Sequence, residues 1–382
     1  MSRRGSVRGS RADGYSFVVD VPSADGHRRQ MRRRGFRTKA EAQAALNDVL
    51  ADVQHGSFVA PQRLTCRSYL TEWLDGLEAR GRRPSTVADY RKKVRTYVLP
   101  TLGDVRLQEL TPRHCDALWT ELANNGRARG EGGLSARTVR YVATILGRAL
   151  SDAERSSLIQ RNPVKLSTPP AASAAQAPEM KVWEPGQLAT FLQHAETEYL
   201  GSMLHLIAVT GLRRGEAVAL QWSDVEIDAG TLTVRRNATT ADNRTVLGLP
   251  NSKRSRRTLA LDNETLRMLR DHRRGQAEQR LAIGPGWTDE GLVFSDVDGR
   301  MLRPERVTRT FDRLVASSGL PRIRLHDLRH GHATYLLASG ANPRLVAERL
   351  GHASVAFTLD TYGHVLPNQQ ADAAEAVRRL IK

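Results

Sequence analysis

The stretch "NPRLVAERLGHASVAFTLDTYGHV", residues 342–365, contains two short helical patterns separated by a break. Asn342 and Pro343 are typical of a helix start, and Gly351 is typical of a helix end. The second pattern carries Tyr362 among small and apolar residues. A tyrosine in such a segment is more often packed in a core than reactive, so Tyr362 needs partners elsewhere in the chain before it predicts chemistry.

The preceding stretch, "RLHDLRHGHATYLLASG" at residues 324–340, predicts a helix. His326 and Arg329 lie three residues apart, share one helix face and can both donate to a single anion. His330 and His332 invite a zinc interpretation, but their spacing is not the helical His-Glu-x-x-His, and no carboxylate occupies the general-base position. We expect these two histidines to have packing or supporting roles.

An earlier stretch, "AVTGLRRGEAVALQW" at residues 208–222, joins two helical patterns. Gly211 suits a left-handed helix end. Arg213 falls at the start of the next helix, where backbone N–H groups and the helix dipole favour an anion. Glu216, three residues on, can hold the guanidinium of Arg213.

A basic loop lies between these stretches, in "PNSKRSRRTLALD" at residues 250–262. It places Lys253 in a turn that leads into a strand, from which a lysine can reach into a groove. Arg254, Arg256 and Arg257 crowd the same loop. Taken alone, the loop is equally well explained as a solvated basic surface.

The charge balance favours a polyanionic partner. The chain has 382 residues, with 58 Lys and Arg against 41 Asp and Glu, and a formal net charge of +17. Residues 1–39 hold eleven Lys or Arg and three Asp, so the excess is clustered. Ribosomal and membrane-surface proteins are also basic, so charge indicates nucleic acid without proving it.

Other compositional features narrow the class. Cys66 and Cys115 are the only cysteines, which argues against a disulfide scaffold or a cysteine-based zinc domain and favours a reduced cytoplasm. The arginine-rich start lacks the apolar run of a signal peptide, and no stretch reaches the length of a membrane span. We therefore expect no membrane partner.

The first of the expected domains covers residues 1–60. Its first 14 residues have the composition of a disordered segment. An alternating pattern around the turn signal "SADG" then predicts a small antiparallel sheet. A helix follows, with Thr38 as its N-cap, Glu41 completing a capping box and Gly56 at its end.

A second domain, residues 64–162, shows four helical patterns and predicts a helical bundle. Ser85, Thr111 and Ser135 are the expected N-caps of three of its helices. Residues 163–177 are rich in proline and alanine and predict an extended linker.

The third domain, residues 178–382, is mixed. Helices are expected near 185–199 and 200–210, strands at "GTLTVRR" and "RRTLALD", and helices again toward the end. The last segment, "NQQADAAEAVRRLIK", predicts an amphipathic helix. The fold class is therefore a multidomain, mainly α protein with small β elements: a sheet-and-helix module, a helical bundle and a mixed α/β domain.

Five strings together resemble the tyrosine recombinases, the phage-integrase family: "TGLRRGE", "SKRSRRT", "HDLRH", "LGHASV" and "TLDTYGHV". Each string is weak alone, but their order over about 150 residues is highly specific. The resemblance implies an arm-type DNA-binding module, a SAM-like core-binding domain and a catalytic domain, in that order. It selects six catalytic residues: Arg213, Lys253, His326, Arg329, His352 and Tyr362.

The resemblance implies that Tyr362 attacks a DNA phosphodiester and forms a 3′-phosphotyrosyl link with a free 5′-hydroxyl. A free tyrosine has a pKa of about 10, so nearby positive charge and a proton acceptor are needed to raise its phenolate fraction. Arg213 and Arg329 suit the charge that builds on the phosphate oxygens. His352 would add a hydrogen bond to a nonbridging oxygen.

Two further roles follow from the same resemblance. His326 is the proton acceptor or else a further phosphate contact, and Lys253 is the general acid that protonates the leaving 5′-oxygen. Because the covalent intermediate keeps the phosphoester bond energy, resealing needs neither ATP nor a ligase. We expect no cofactor and no metal, since the sequence offers no acidic cluster to hold one.

The expected partner is double-stranded DNA carrying attachment sites, so that a mobile element is integrated or excised in a bacterial cytoplasm. The family further implies a homotetramer on DNA, with DNA-bending and directionality proteins as accessory partners. Its C-terminal helices often dock on a neighbouring protomer. Here the helix at residues 368–382 can equally fold back on its own domain.

Three other functions remain compatible with parts of this pattern. A type IB topoisomerase nicks and reseals by the same chemistry without exchanging strands. A DNA-binding regulator that has lost catalysis would keep the fold, although all six catalytic side chains are present here. A structural nucleic-acid or ribosome-associated protein would explain the charge but not the ordered motifs.

Overall fold

The computed structural model contains two compact units, Met1–Ala177 and Pro178–Lys382. Across the two units, the structure describes residues 5–22, 28–56, 58–128, 130–175, 180–241, 244–249 and 253–363. The expected turn at "SADG" and the expected helix at residues 368–382 lie outside this set. Within it, no helix has the length and apolar character needed to cross a bilayer.

The first unit opens with a three-stranded antiparallel sheet in the order β1-β2-β3, followed by a helix; the elements are β1 Gly5–Ser10, β2 Gly14–Pro22, β3 Arg28–Phe36 and α1 Lys39–Gln54. Alternate residues of β2 face α1 and form a small core with it: Phe17, Val19, Val21, Leu46, Val49 and Val53. The expected capping box is confirmed, because Glu41 N donates to Thr38 Oγ1 at 3.1 Å and Thr38 N to Glu41 Oε2 at 3.4 Å.

Strand β1 corrects the expectation of disorder for residues 5–10, while residues 1–4 lie outside the described residues. It pairs along its whole length with β2, from Gly5 opposite Val19 to Ser10 opposite Gly14. A Cβ at Gly5 would lie 2.4 Å from Leu46 Cδ1, so the strand approaches α1 through a residue without a side chain. Backbone hydrogen bonds hold β1 in place, and these leave no hydrophobic pattern in the sequence.

The rest of the first unit contains α2 Cys66–Ala79, α3 Pro84–Lys93, α4 Leu99–Leu102, α5 Pro112–Asn125 and α6 Ala136–Arg155. The helices enclose one apolar core, in which Leu118, Val139 and Val142 are fully buried. Thr111 and Ser135 cap α5 and α6 as expected, each accepting from the backbone three residues on.

The expected cap of α3 is wrong. The helix begins at Pro84 and its N-cap residue is Arg83, not Ser85. Proline has no N–H to lose in the first turn and its φ is already helical, so the helix begins at Pro84, two residues earlier than expected. One turn of π-helix, Val94–Val98, joins α3 to α4.

Residues 163–175 are less extended than their composition suggests. They contain two short 3₁₀ turns, Pro163–Leu166 and Ser173–Ala175. Arg140 Nη1 of α6 donates to the carbonyl of Pro170 at 2.6 Å, and Asn162 Nδ2 donates to Gly147 O at 2.8 Å. Hydrogen bonds to backbone carbonyls, together with the packing of Val164 against the bundle core, therefore hold this stretch in place.

The helices of the second unit are α7 Pro185–Ala195, α8 Gly201–Thr210, α9 Arg214–Val218, α10 Asn263–Ile283, α11 Pro304–Ser317, α12 Leu325–Ala338, α13 Pro343–Leu350 and α14 Val355–Tyr362. Its strands are β4 Val225–Glu226, β5 Thr231–Val234, β6 Asn237–Ala241, β7 Arg244–Gly248 and β8 Arg257–Ala260. Antiparallel pairing gives a sheet in the order β4-β5-β8 and a separate hairpin of β6 with β7.

The predicted strands at "GTLTVRR" and "RRTLALD" are confirmed as β5 and β8, which pair from Thr231 opposite Ala260 to Val234 opposite Arg257. The hairpin of β6 and β7 was not expected. Its strands, "NATTA" and "RTVLG", have five residues each and only half of these residues are polar or charged, so they carry little of the alternation by which strands are recognised in a sequence.

Two apolar clusters organise the second unit. The larger contains an aromatic group in which the rings of Phe191 and Phe311 meet edge to face, with centroids 5.2 Å apart. The smaller joins α12, α13 and α14 through Leu337, Val346 and the ring of Tyr362. This smaller cluster fixes the positions from which the histidines and arginines of these helices project.

Candidate active site

Arg213 lies in the turn between α8 and α9. Gly211 ends α8 in the left-handed conformation with φ 67°, as expected. Arg213 Nη1 donates to Glu216 Oε1 at 2.7 Å and Arg213 N donates to Glu216 Oε2 at 3.0 Å. Helix α9 has five residues, and the anion at its start is the Glu216 carboxylate, so the predicted contact between the two side chains is confirmed and the helix start is already occupied.

Arg257 is a second guanidinium on the same carboxylate. Its Nη2 lies 2.9 Å from Glu216 Oε2 and its Nη1 lies 3.2 Å from Oε1. The side chains of Arg257 and Glu216 are 6% and 2% exposed. Burial alone would raise the pKa of Glu216, but Arg257 and Arg213 outweigh it and hold that pKa below its usual value. The sequence placed Arg257 only as one of several arginines in a crowded loop.

Arg329 projects from α12 into the protein interior and is 2% exposed. Its Nη1 donates to the carbonyl of Gly211 at 2.6 Å, which fastens α12 to the end of α8. Burial, with the positive charge of Arg213, lowers the pKa of Arg329 to about 9. The guanidinium therefore stays charged at neutral pH.

The C-terminal end of α13 binds three arginines through its backbone carbonyl groups. The carbonyls of residues 349, 350 and 351 accept, in that order, from Arg257 Nε at 2.5 Å, Arg329 Nη2 at 2.5 Å and Arg213 Nη2 at 3.2 Å. The last carbonyls of a helix lack partners within the helix and carry partial negative charge. The end of α13 therefore gathers three like charges that would otherwise repel one another.

His326 stands at the start of α12 with its side chain exposed. Its ring meets the ring of His330 edge to face, with centroids 4.9 Å apart. Desolvation of its ring by the surrounding protein lowers the pKa of His326, and the positive charges of Arg329 and Arg213 lower it further. His326 is thus a neutral imidazole beside the arginine cluster.

His352 follows the left-handed end of α13 at Gly351 and is 8% exposed. Its Nδ1 is bonded to Thr358 Oγ1 at 2.8 Å. Its ring lies parallel to the ring of Tyr362, with centroids 6.4 Å apart. Burial, together with Arg329 and Arg213, lowers the pKa of His352 to about 3, so this imidazole is also neutral.

Tyr362 ends α14 and is 1% exposed. Its phenol oxygen is hydrogen-bonded to Nδ1 of His330. Burial raises the pKa of Tyr362 to about 12, although Arg329 opposes the shift. In the free protein the phenol is therefore protonated and held by an imidazole that the sequence had assigned to a packing or supporting role. The one signal that pointed to His330 is its position four residues after His326, on the same face of α12.

Lys253 begins a 3₁₀ turn, Lys253–Ser255, that leads into β8 as expected. The structure describes its backbone and not its side chain. The turn is anchored beside His352, because Arg254 Nη1 donates to the carbonyl of Ala353.

Five of the six sequence-predicted residues are thus brought into one cluster: Arg213, His326, Arg329, His352 and Tyr362. The cluster also contains three residues that the motifs did not select as catalytic: Glu216, Arg257 and His330. A cavity of about 660 Å³ adjoins the cluster and is lined by Arg213, His326 and strand β6. In the described ranges, no three His, Cys, Asp or Glu side chains converge as a metal ion would require.

Comparison with protein families assigns all three regions of the chain. Residues 181–369 match the model of the phage integrase family. Residues 6–53 match an arm DNA-binding domain, and residues 65–123 match the N-terminal SAM-like domain of phage integrases.

Two curated relatives extend this likeness. The ICEBs1 integrase of Bacillus subtilis is 30% identical over 257 residues, which are 66% of this chain and 68% of the relative. A protein described as "Tyrosine recombinase XerC-like" from Caldanaerobacter subterraneus subsp. tengcongensis is 24% identical over 383 residues, which are 96% of each chain.

Solved structures show the same fold. The Tn1549 transposon integrase, in complex with a circular intermediate DNA, matches with a TM-score of 0.64 at 16% identity, over 84% of this chain and 100% of that one. A lambda integrase tetramer bound to a Holliday junction matches with a TM-score of 0.55 at 18% identity, over 88% and 93%. The motifs, the relatives and the fold of this chain together show that it belongs to the phage integrase family and is a site-specific tyrosine recombinase.

Proposed function

We propose that this recombinase cleaves and rejoins DNA through a 3′-phosphotyrosyl link to Tyr362, and so integrates or excises a mobile element. The observation that carries the proposal is the cluster that the phenol of Tyr362 forms with two imidazoles and two guanidiniums; these belong to His326, His352, Arg213 and Arg329. A phosphodiester is the substrate that such a set of donors and a nucleophile suits.

The cations prepare the site for the phosphate. Arg213 and Arg329 are already fastened to backbone carbonyls, so little reorganisation is needed when negative charge builds on the phosphate oxygens in the transition state. We assign the proton of His352 to Nε2, with Nδ1 accepting from the hydroxyl of Thr358. Nε2–H then donates to a nonbridging oxygen.

His326 fits the second of its two expected roles, a phosphate contact. It is exposed, lies beside both arginines and lines the adjoining cavity. The ring of His326 contacts the ring of His330, and the phenol oxygen of Tyr362 is hydrogen-bonded to His330. The cavity beside it is where one strand of the duplex would enter.

Lys253 is proposed as the general acid that protonates the leaving 5′-oxygen. The contact of Arg254 in the same turn with the carbonyl of Ala353, next to His352, supports this role. Neighbouring positive charge would ease proton release from an ammonium group. Neither a metal ion nor ATP enters this scheme, because the phosphotyrosyl bond retains the energy for resealing.

The domain division is part of the same proposal. Residues 1–60 would bind distal arm sites, residues 64–162 and residues 178–382 would each contribute to binding the core site, and residues 163–177 would connect them. Strand exchange needs two duplexes and four active sites, so a homotetramer on DNA is proposed, acting in a bacterial cytoplasm with DNA-bending and directionality proteins. The lambda integrase tetramer on a Holliday junction supports this assembly by likeness of fold.

The test is covalent trapping on a nicked suicide duplex that carries a candidate attachment site. The full chain should form a protein–DNA adduct that survives denaturation, and Tyr362→Phe should form none. Tyr199→Phe is the matched control, because Tyr199 is 41% exposed and its hydroxyl donates to Ser295 O at 3.0 Å, away from the cluster. An adduct with Tyr362→Phe would refute the proposed nucleophile. Two cognate duplexes offered together should also yield recombinant joints, which a topoisomerase would not make.

A further inference from the structure

Within the part of the chain that the structure describes, the phenol of Tyr362 has one polar partner, which lies outside the six residues selected by resemblance. That partner is Nδ1 of His330, on α12. The ring centroids of the two residues are 5.7 Å apart, with the planes tilted by 49°. The imidazole therefore approaches the hydroxyl edge-on, through its nitrogen, as a hydrogen-bond acceptor does.

The charged and titratable groups near His330 come from α12 itself and from the segment around α14; they are Arg324, His326, Asp327, Arg329, His352 and Tyr362. Burial lowers the pKa of His330, so the free imidazole is neutral. We assign its proton to Nε2, so that Nδ1 accepts from the protonated phenol with which it is in contact. Asp327, three residues earlier, works in the opposite direction and favours the protonated form.

Asp327 is suited to support an imidazolium at His330. It is 3% exposed, and its carboxylate is held by Arg324, whose Nη2 lies 2.7 Å from Oδ1. An ion pair fixes the position of the carboxylate without removing its field from the helix face that it shares with His330. A proton arriving at His330 therefore meets a negative charge already in place.

We propose that His330 is the residue that takes the phenol proton of Tyr362 when the strand is cleaved, and returns it when the strand is resealed. This inference rests on the proposed function of Tyr362 as nucleophile. His330 would touch the reacting oxygen itself, whereas His326 serves the phosphate.

The step balances without another reactant. The Tyr362 oxygen forms a bond to phosphorus, and the bond from phosphorus to the 5′-oxygen breaks. The phenol proton moves to Nδ1 of His330, and the leaving 5′-oxygen takes a proton from Lys253. Resealing runs each transfer in reverse, so the net protonation of the site is unchanged after a full cycle.

The timing of proton transfer follows from the free site. Burial raises the pKa of Tyr362 to about 12, so the proton stays on oxygen until attack begins. A phenol oxygen becomes far more acidic as it bonds to phosphorus, and only then is a neutral imidazole a strong enough base. Holding the pair in contact beforehand supplies the orientation that this transfer needs.

The experiment measures the single-turnover rate of adduct formation on the suicide duplex between pH 6.5 and 9.5. This range lies between the ordinary pKa values of imidazole, about 6.5, and phenol, about 10. His330→Ala removes acceptor and base together. His330→Asn keeps a neutral acceptor near the place of Nδ1 but cannot take a proton. His194→Ala is the matched control, since His194 is bonded to Ser317 Oγ at 2.9 Å on the far helix pair α7 and α11.

The wild-type rate should change little with pH, because a neutral His330 is present throughout. His330→Ala should be slower by about 100-fold or more near neutrality, and its rate should rise with pH as water and hydroxide replace the lost base. His330→Asn should regain binding and positioning but keep the rise with pH. A fluorinated tyrosine of lower phenol pKa at position 362 should rescue His330→Ala more than it accelerates the wild type.

Two results would overturn the role of His330. One is adduct formation by His330→Ala within about threefold of the wild type across the range, a loss too small for a missing general base. The other is a slowdown that is equal at every pH and is not reduced by the fluorinated tyrosine, which indicates structural damage alone. Either result leaves the proposed function standing so long as Tyr362→Phe forms no adduct; an adduct with Tyr362→Phe removes both.

Discussion

Glu216 is the carboxylate on which the arginine cluster depends, and its replacement gives a quantitative test of the site. Glu216 accepts from Arg213 at 2.7 Å and from Arg257 at 2.9 Å, and its side chain is 2% exposed. Removing one partner of a buried ion pair leaves the other charge uncompensated and costs about 3–5 kcal/mol. Glu216→Gln keeps a neutral acceptor, so it should lower the free energy of unfolding by about 3 kcal/mol. Glu216→Ala should lower it by about 5 kcal/mol.

These losses translate into large shifts of the thermal midpoint. For a unit of this size, each 1 kcal/mol lowers the midpoint by about 2–4 °C, so Glu216→Gln should melt roughly 6–12 °C earlier. Differential scanning calorimetry of the full chain at pH 7 measures the shift. Glu198→Gln is the matched control, because Glu198 pairs with Arg313 at the surface, and a solvent-screened pair should give a much smaller change.

The pH dependence has a definite sign. Arg257 and Arg213 hold the pKa of Glu216 below the usual value of 4.5 despite burial. The charged carboxylate therefore contributes its stability above pH 4.5, and that contribution is lost as pH falls through the lowered pKa of the folded state. The stability gap between the wild type and Glu216→Gln should be constant near neutrality and should narrow below pH 4.5. A gap of less than 1 kcal/mol at pH 7, or one that does not narrow in acid, would refute the proposed dependence on Glu216.

Three further predictions concern the backbone, the DNA and the first domain. Gly211→Ala should lose about 1–3 kcal/mol in urea unfolding, because φ is 67° and a Cβ would lie 2.6 Å from Leu350 Cδ2; Gly186→Ala on α7, which has no atom within 4 Å of its Cβ position, should not be destabilised. Binding to duplex DNA, followed by fluorescence anisotropy, should weaken by about 100-fold or more between 50 and 200 mM salt, and a flat dependence would contradict a phosphate-based interface. Deletion of residues 1–60 should weaken assembly at a full attachment site while leaving cleavage of a bare core site, which gel-shift and trapping assays on the two substrates will separate.

Much of the fold was predictable because its signals are local. Thr38, Thr111 and Ser135 cap their helices as their side chains require, and Gly211 and Gly351 take the left-handed conformation that ends a helix. The elements that escaped prediction are those held by backbone pairing. Strand β1 and the hairpin of β6 and β7 bury few side chains, so no periodicity marks them.

The candidate site was predictable in its members more than in its contacts. Ordered motifs selected Arg213, Arg329 and Tyr362, but a motif does not reveal which groups touch. Arg257 lies 41 residues from Glu216, and His330 lies 32 residues from Tyr362. Such contacts depend on how α12, α13, α14 and β8 pack together, and no spacing rule within one helix or one strand contains that information.

The end of α13 has an evolutionary consequence. Because the carbonyls of three successive residues grip the arginines, the separation of the positive charges is set by the repeat of the peptide backbone. Substitutions among the outward-facing side chains of α13 leave that separation intact, so its surface is free to diverge while the charge geometry is inherited unchanged.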